Sequence, residues 1–247
     1  MRISLPGYAR LTSSRARGIT LENCRLTIES ILEAETIYDF AARQPDARKF
    51  KGRATVYAIE LPNACGPAVV RRSMRGGWLS SLSTDLFLPP TRALRELVAS
   101  LRLRSAGVAT PEVIAFATYP VGTIFRRSDV VTREIRGEDL GSLLASGPSE
   151  ERRQVALETA AALVASLSLA GAHHSDLNVR NILVSGDVAY ILDVDRIRFH
   201  VPGDPIVLQA NIARLKRSLR KRRDLDKLPI EESEIVALGE RIAELAK

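Results

Sequence analysis

The chain has 247 residues, of which 45% are hydrophobic and 26% charged; this excludes a mostly disordered or fibrous protein and leaves room for one large domain or two small lobes. Cys24 and Cys65 are its two cysteines, outside any CxxC pair, which excludes a disulfide scaffold and a Cys-based zinc site and suits a reducing compartment. The net charge of +7 fits nucleic acid, an anionic membrane surface, a phosphorylated ligand or plain solubility, and does not choose among them.

The first residues contain no apolar core of a secretory signal. The most apolar stretch, Val155 to Ala172, contains Glu158 and, at about 18 residues, falls short of the ~20 strongly apolar residues that span a bilayer. The expected location is therefore cytosolic, with no membrane span.

The first fifty residues yield no assignment from pattern alone. Thr55–Leu61 then reads as a strand, 62–67 as a turn with Pro62 and Gly66, and Ala68–Arg72 as a second strand. A loop over 73–90 carries Gly76, Gly77 and Trp78. Thr91 is the expected cap of a helix whose Leu94, Leu97, Val98 and Leu101 fall at helical spacing, ending near Gly107. Strands are expected around Glu112–Thr118 and Asp129–Ile135. From Gly137 the pattern turns helical: a short helix over Leu140–Ala145, a stop at Gly147-Pro148, and a helix capped by Ser149 with Glu150 and Glu151 in its first turn, running to about Ala170. After Thr159 that helix is apolar on nearly every side, which predicts a buried element. The expected class is α+β, with a β-rich lobe over 1–135 and a small, mostly helical lobe over 136–247.

Chemistry concentrates after the buried helix. His174-Ser-Asp176-Leu-Asn-Val-Arg-Asn181 is followed by a strand, a turn at Gly186-Asp187, the strand Val188–Leu192, and then Asp193-Val-Asp195-Arg196. Taken singly, Asp176 reads as a loop acid, Asn181 as a turn former and Asp193 as a strand-end cap. Taken in order, they match the H-R-D-L-x-x-x-N and D-F-G arrangement of phosphoryl-transfer sites. A hard magnesium ion is served by a carboxylate and an amide carbonyl, which Asp193 and Asn181 offer from either side of one hairpin. Asp176 is then free to accept a proton from a substrate hydroxyl. His174 is expected to hold the loop by hydrogen bonds rather than transfer protons, and His173 and His200 to be structural or exposed. In the first lobe, Gly52 is the candidate for close backbone approach to phosphates. Arg71 on the second strand is the candidate phosphate cation, and Glu96 on the following helix its orienting acid.

These residues together resemble the lipopolysaccharide kinase family of the protein-kinase-like superfamily, in its 3-deoxy-D-manno-octulosonic acid (Kdo) kinase branch. The resemblance rests on Val70-Arg71-Arg72-Ser-Met-Arg75-Gly76-Gly77, Arg95-Glu96 with Val108–Pro111, Thr132–Gly137, His174–Asp176 through Asn181–Leu183, Asp193–Arg196, and Asn211-Ile-Ala-Arg214-Leu-Lys-Arg217-Ser-Leu219. It covers roughly residues 50–222. It implies a bilobal kinase-like fold, ATP and Mg2+ as cosubstrate and cofactor, Asp176 as catalytic base, Asn181 and Asp193 as magnesium ligands, and an Arg71–Glu96 ion pair. It implies an auxiliary role for Asp195, in a second metal site or in fixing Arg196. Val194 replaces the aromatic residue usual in that turn. No A-P-E segment follows Asp193, so the expected acceptor is a small molecule or glycolipid rather than a protein.

Seven basic residues and no acid occupy Asn211–Arg223, while Leu208, Ile212, Leu215 and Leu219 fall on one helical face. That predicts a cationic amphipathic helix suited to an anionic lipid surface. Together with the resemblance, this implies an anionic glycolipid partner, a Kdo-lipid A precursor, met peripherally at the cytoplasmic face of the inner membrane. Alternatives are a heptose or small-molecule kinase and a nucleotide-binding scaffold without turnover. A solvated helix is the plain reading of the charge, and nucleic acid is not expected, since no aromatic stacking platform accompanies it.

Overall fold

The computed structural model describes residues 5–50, 55–63, 65–73 and 92–247. Gly52, the Arg75–Trp78 loop and the Thr91 cap lie outside the described residues. Tertiary contacts divide the chain into two compact units, one formed by Met1–Leu97 with Glu112–Glu134, the other by Val98–Pro111 with Ile135–Lys247.

In the first unit, seven antiparallel strands form one sheet: β1 (Tyr8–Thr12), β2 (Arg17–Leu21), β3 (Arg48–Phe50), β4 (Val56–Leu61), β5 (Gly66–Arg72), β6 (Val113–Val121) and β7 (Phe125–Arg133). Their order is β1-β2-β6-β7-β5-β4-β3. The first fifty residues thus extend the sheet at both edges. They also supply α1 (Arg25–Ala34) and α2 (Ile37–Arg43), whose Ile28, Leu32 and Ile37 pack on Ile59, Val70, Ile114 and Val131 of the sheet. The β6–β7 hairpin is longer than the sequence suggests, because Pro120 pairs with Arg126 beside the turn, where a missing N–H costs little. Gly18 on β2 is required by close approach: a Cβ there would meet the Phe116 carbonyl oxygen at 2.0 Å.

A buried polar knot pins α2 to the sheet. Asp129 is fully buried and accepts hydrogen bonds from the Tyr38 amide at 3.0 Å and from Arg72 Nε at 3.3 Å. The Ile37 amide donates to the Tyr119 hydroxyl at 3.0 Å. Burial pushes the Asp129 carboxyl up against the opposing pull of Arg72. Cys24 and Cys65 are both fully buried, and burial, with Cys65 alongside, pushes the Cys24 thiol up to about 12.

In the second unit, helices dominate: α4 (Leu140–Ala145), α5 (Glu150–Leu169), α6 (Pro205–Asp226) and α7 (Glu232–Leu245), with β8 (Glu138–Asp139), β9 (Ala172–His174), β10 (Ile182–Ser185), β11 (Val188–Ile191) and β12 (Ile197–Phe199). The division between units falls within α3 (Arg92–Ser105). Leu103 and Val108 are fully or nearly fully buried in the core of the helical unit. The Ile191 amide donates to the Ala109 carbonyl at 2.9 Å, and Thr110 Oγ1 donates to the Ile191 carbonyl at 2.9 Å. As its composition predicts, α5 buries Ala160, Ala161, Leu163, Val164, Ala165 and Leu167. Against it pack Leu215 and Leu219 of α6 and Ile235, Leu238 and Ile242 of α7. Arg153 of α5 holds Glu234 of α7 through two N–H bonds, at 2.8 and 3.0 Å. A sheet-rich first unit and a helix-rich second make the α+β class expected from the sequence.

Candidate functional site

The end of α5 sets the start of the site. Gly171 turns the chain at φ +68°, and a Cβ on it would lie 2.6 Å from the His200 carbonyl oxygen, so this position takes only glycine without rearrangement. β9 then delivers His174 and the loop up to Asn181. That loop is bonded to itself: the Asp176 carbonyl accepts from Asn178 Nδ2 at 2.8 Å and from Asn181 Nδ2 at 3.0 Å. Asn178 Oδ1 in turn caps the short turn Val179–Asn181 by accepting the Arg180 amide at 3.0 Å.

His174 is fully buried. Its Nδ1 accepts the Asp176 amide at 3.2 Å, which places the ring proton on Nε2, 3.2 Å from the Leu192 carbonyl. Burial lowers its pKa despite the Leu192 carbonyl and the nearby acids, so the ring stays neutral and serves as a strut. His174 also pairs with Ile197 across β9 and β12. One residue therefore brackets the turn 193–196 on both sides.

Asp193 opens that turn in the left-handed conformation, φ 56° and ψ 46°, a region that aspartate tolerates better than bulky residues. Val194 fills core space, and Ser175 Oγ donates to the Arg196 carbonyl at 3.2 Å. The Leu192 amide donates to the Asn181 carbonyl at 2.8 Å, so Asn181 and Asp193 extend from adjoining ends of the β10–β11 hairpin. Among the described residues, nothing hydrogen-bonds Asn181 Oδ1 or the exposed Asp193 carboxylate. This amide oxygen and carboxylate are hard donors of the kind that fit a magnesium ion keeping several waters. No cluster of three or more His, Cys, Asp or Glu suited to a metal occurs among the described residues. Asp195 follows in the same turn, half-buried.

Three side chains of α6 hold the loop from outside, and the sequence alone does not expose them. Asn211, fully buried, accepts the His174 amide at 3.1 Å and donates to Ser168 Oγ and to the Ala172 carbonyl, both at 3.0 Å. Arg214 Nη2 lies 2.7 Å from Asp176 Oδ1. Ser218 Oγ accepts the Val179 amide at 3.2 Å. Positions 211, 214 and 218 follow i, i+3, i+7 spacing and form one stripe. Each stands one residue before a member of the apolar series 212, 215, 219, and this offset is the signal that sequence reading passes over when it treats Arg214 as surface charge.

The remaining cations of α6 are partly neutralised. Arg220 and Arg223 both bind Glu232, and Arg222 binds Asp226. Lys216, Arg217 and Lys221 make no ion pair among the described residues and line a shallow hollow with Gln209, Ile212 and Ala213. Asn211 is buried and Arg214 faces the loop, so the whole span Asn211–Arg223 does not form one outward cationic surface.

In the first unit, Arg71 on β5 and Glu96 on α3 form the ion pair that the resemblance implies. Glu96 is buried and Arg71 is partly exposed.

A family model described as the lipopolysaccharide kinase (Kdo/WaaP) family matches residues 46–238. A 3-deoxy-D-manno-octulosonic acid kinase of Vibrio parahaemolyticus is 31% identical over 69% of this chain and 71% of its own. One of Stenotrophomonas maltophilia is 30% identical over 70% and 68%. A solved structure of WaaP in complex with acyl carrier protein is 19% identical, covering 94% of this chain and 100% of that one, at a TM-score of 0.49.

Proposed function

Because the chain belongs to the lipopolysaccharide kinase (Kdo/WaaP) family, and is thus a phosphotransferase, we propose that it transfers the γ-phosphate of ATP to a hydroxyl of Kdo on a lipid A precursor. The observation that carries the reading is the loop around Asp176: its carbonyl ties Asn178 and Asn181 together, and its amide is fixed by the buried His174. That bracing leaves the Asp176 carboxylate at the surface, where it accepts the proton of the attacking hydroxyl. A preset carboxylate lowers the cost of reaching the reactive arrangement, the usual source of rate in phosphoryl transfer.

Asn181 and Asp193 would hold Mg2+, which when bound offsets the negative charge of the phosphates. Arg71, oriented by Glu96, is assigned to the ATP phosphates. An arginine in that role presents a planar fork rather than the point charge of a lysine. In this reading residues 1–135 serve the nucleotide and residues 136–247 carry the chemistry. No helix among the described residues is long and apolar enough to cross a membrane. Contact with the cytoplasmic face of the inner membrane is assigned to Lys216, Arg217 and Lys221, each adding about 1 kcal/mol near an anionic surface.

A non-catalytic scaffold has no chemical need for a surface carboxylate braced at both its amide and its carbonyl. The test is to incubate the protein with ATP, Mg2+ and a Kdo-bearing lipid A precursor, with Asp176→Ala alongside, and weigh the lipid by mass spectrometry. One added phosphate on Kdo, lost in the variant, is the expected result. No phosphate on Kdo, with nucleotide still bound, overturns it.

A further inference from the structure

The contact between Arg214 and Asp176 asks for a purpose beyond bracing. Asp176 is already fixed through its own backbone by His174, Asn178 and Asn181. Its carboxylate is 37% exposed, and the Arg214 side chain 35%. Of the five N–H bonds of the guanidinium, one serves Asp176 Oδ1. The others find no partner among the described residues. The helix beneath is anchored, with Leu215 and Leu219 fully buried and Asn211 tied at three points. The result is a preset cation beside the base, with most of its donors unspent.

The acceptor named above is an acid, so its ring carries a carboxylate of its own. Bringing a hydroxyl of that ring within ~3 Å of Asp176 brings a second negative charge toward the first. Two carboxylates so placed repel strongly unless a cation stands between them. A neutral sugar creates no such demand. Resting on the acceptor assignment of the preceding subsection, we propose that the Arg214 guanidinium, set against Asp176, binds the carboxylate of an acidic sugar acceptor and so selects it over neutral sugars. The planar fork of arginine suits bidentate capture of a carboxylate while one Nη keeps its bond to Asp176.

The experiment is a double cycle of protein and acceptor. Wild type and Arg214→Gln are each assayed for kcat/KM on the Kdo-lipid A precursor and on the same lipid with the Kdo carboxylate converted to a primary amide. Wild type is expected to prefer the acid by about 30-fold, the order of a lost charged hydrogen-bonding partner at a half-exposed site. Arg214→Gln is expected to lose that preference, the two acceptors then differing by less than about threefold. Arg214→Lys, which keeps the charge without the fork, should retain an intermediate preference, and it stands in if the Gln variant melts early by circular dichroism. Equal losses on both acceptors, with the preference for the acid intact, overturn the inference: Arg214 then only orients Asp176, and the acceptor assignment stands. Wild-type inactivity on both lipids overturns the acceptor assignment itself, and the inference with it.

Discussion

Asn211→Ala tests whether α6 holds the loop around Asp176. The side chain makes three hydrogen bonds in a fully buried setting. Removing it strands the buried His174 amide without an acceptor, a cost of about 1–3 kcal/mol. The Ala172 carbonyl loses a donor, for about 1 kcal/mol more. Ser168 Oγ keeps its own donation to the Val164 carbonyl at 2.8 Å and adds little. The expected loss is therefore about 3 kcal/mol, read as a lower urea midpoint in far-UV circular dichroism, whose signal comes mainly from the helical unit. Asn211→Asp should do no better: it keeps an acceptor for His174 but loses both donors and buries a charge. Turnover should fall in step, because the bond to the His174 amide sits two residues before Asp176, while KM for ATP stays near wild type. A loss below about 1 kcal/mol, or a wild-type protection of the His174 amide in hydrogen exchange, would refute the reasoning.

Acid should weaken the fold through His174. Its folded pKa lies below the ordinary 6.5 because burial disfavours the imidazolium, so the unfolded chain takes up a proton that the folded ring refuses. Stability is full above pH 6.5 and falls as the pH drops toward the folded value, by up to about 1.4 kcal/mol per pH unit. His173, also lowered by burial, acts in the same direction. His174→Gln, which retains a donor and an acceptor, should flatten this slope in melts between pH 7 and 5; an unchanged slope refutes the assignment. Arg71→Gln should raise KM for ATP by about 10-fold or more, as loss of a charged contact to phosphate does, leaving acceptor KM alone in steady-state assays; an unaltered ATP KM removes Arg71 from the nucleotide site. Replacing Lys216, Arg217 and Lys221 together by Gln should weaken pelleting with anionic vesicles by roughly 100-fold in low salt, at about 1 kcal/mol per cation, and equal pelleting of both proteins removes this face from the membrane.

Local order makes the candidate site residues legible. Asp176, Asn181 and Asp193 occupy one loop and one hairpin, so their spacing in the chain maps directly onto spacing in space. Arg214 was opaque because its contact with Asp176 spans 38 positions, and no local pattern separates a cation facing a loop from one facing water. β9 and β12 have three residues each, too few for a period of two to register. α7 carries local signals of its own: Ile235, Leu238 and Ile242 repeat at i, i+3, i+7, and its Glu231–Glu234 capping box marks the start. In the first fifty residues, β1 and β2 are short, and β2 opens on the polar, glycine-bearing run Arg17-Gly18. The place of β2 in the sheet is decided by pairing with β6, nearly a hundred residues away, and β1 follows by pairing with β2.

The stripe 211–214–218 makes α6 intolerant of a change in length. One residue inserted between Asn211 and Ser218 rotates everything beyond it by ~100°. Such an insertion would swing Ser218 and the apolar Leu219 away from the loop and the core together, so no single compensating substitution repairs it. Beyond Asp226, where the helix ends and Lys227 adopts the left-handed conformation, the same insertion shifts only the connection to α7. Variation in length within this fold should therefore gather after residue 226 and avoid the two turns that grip the loop.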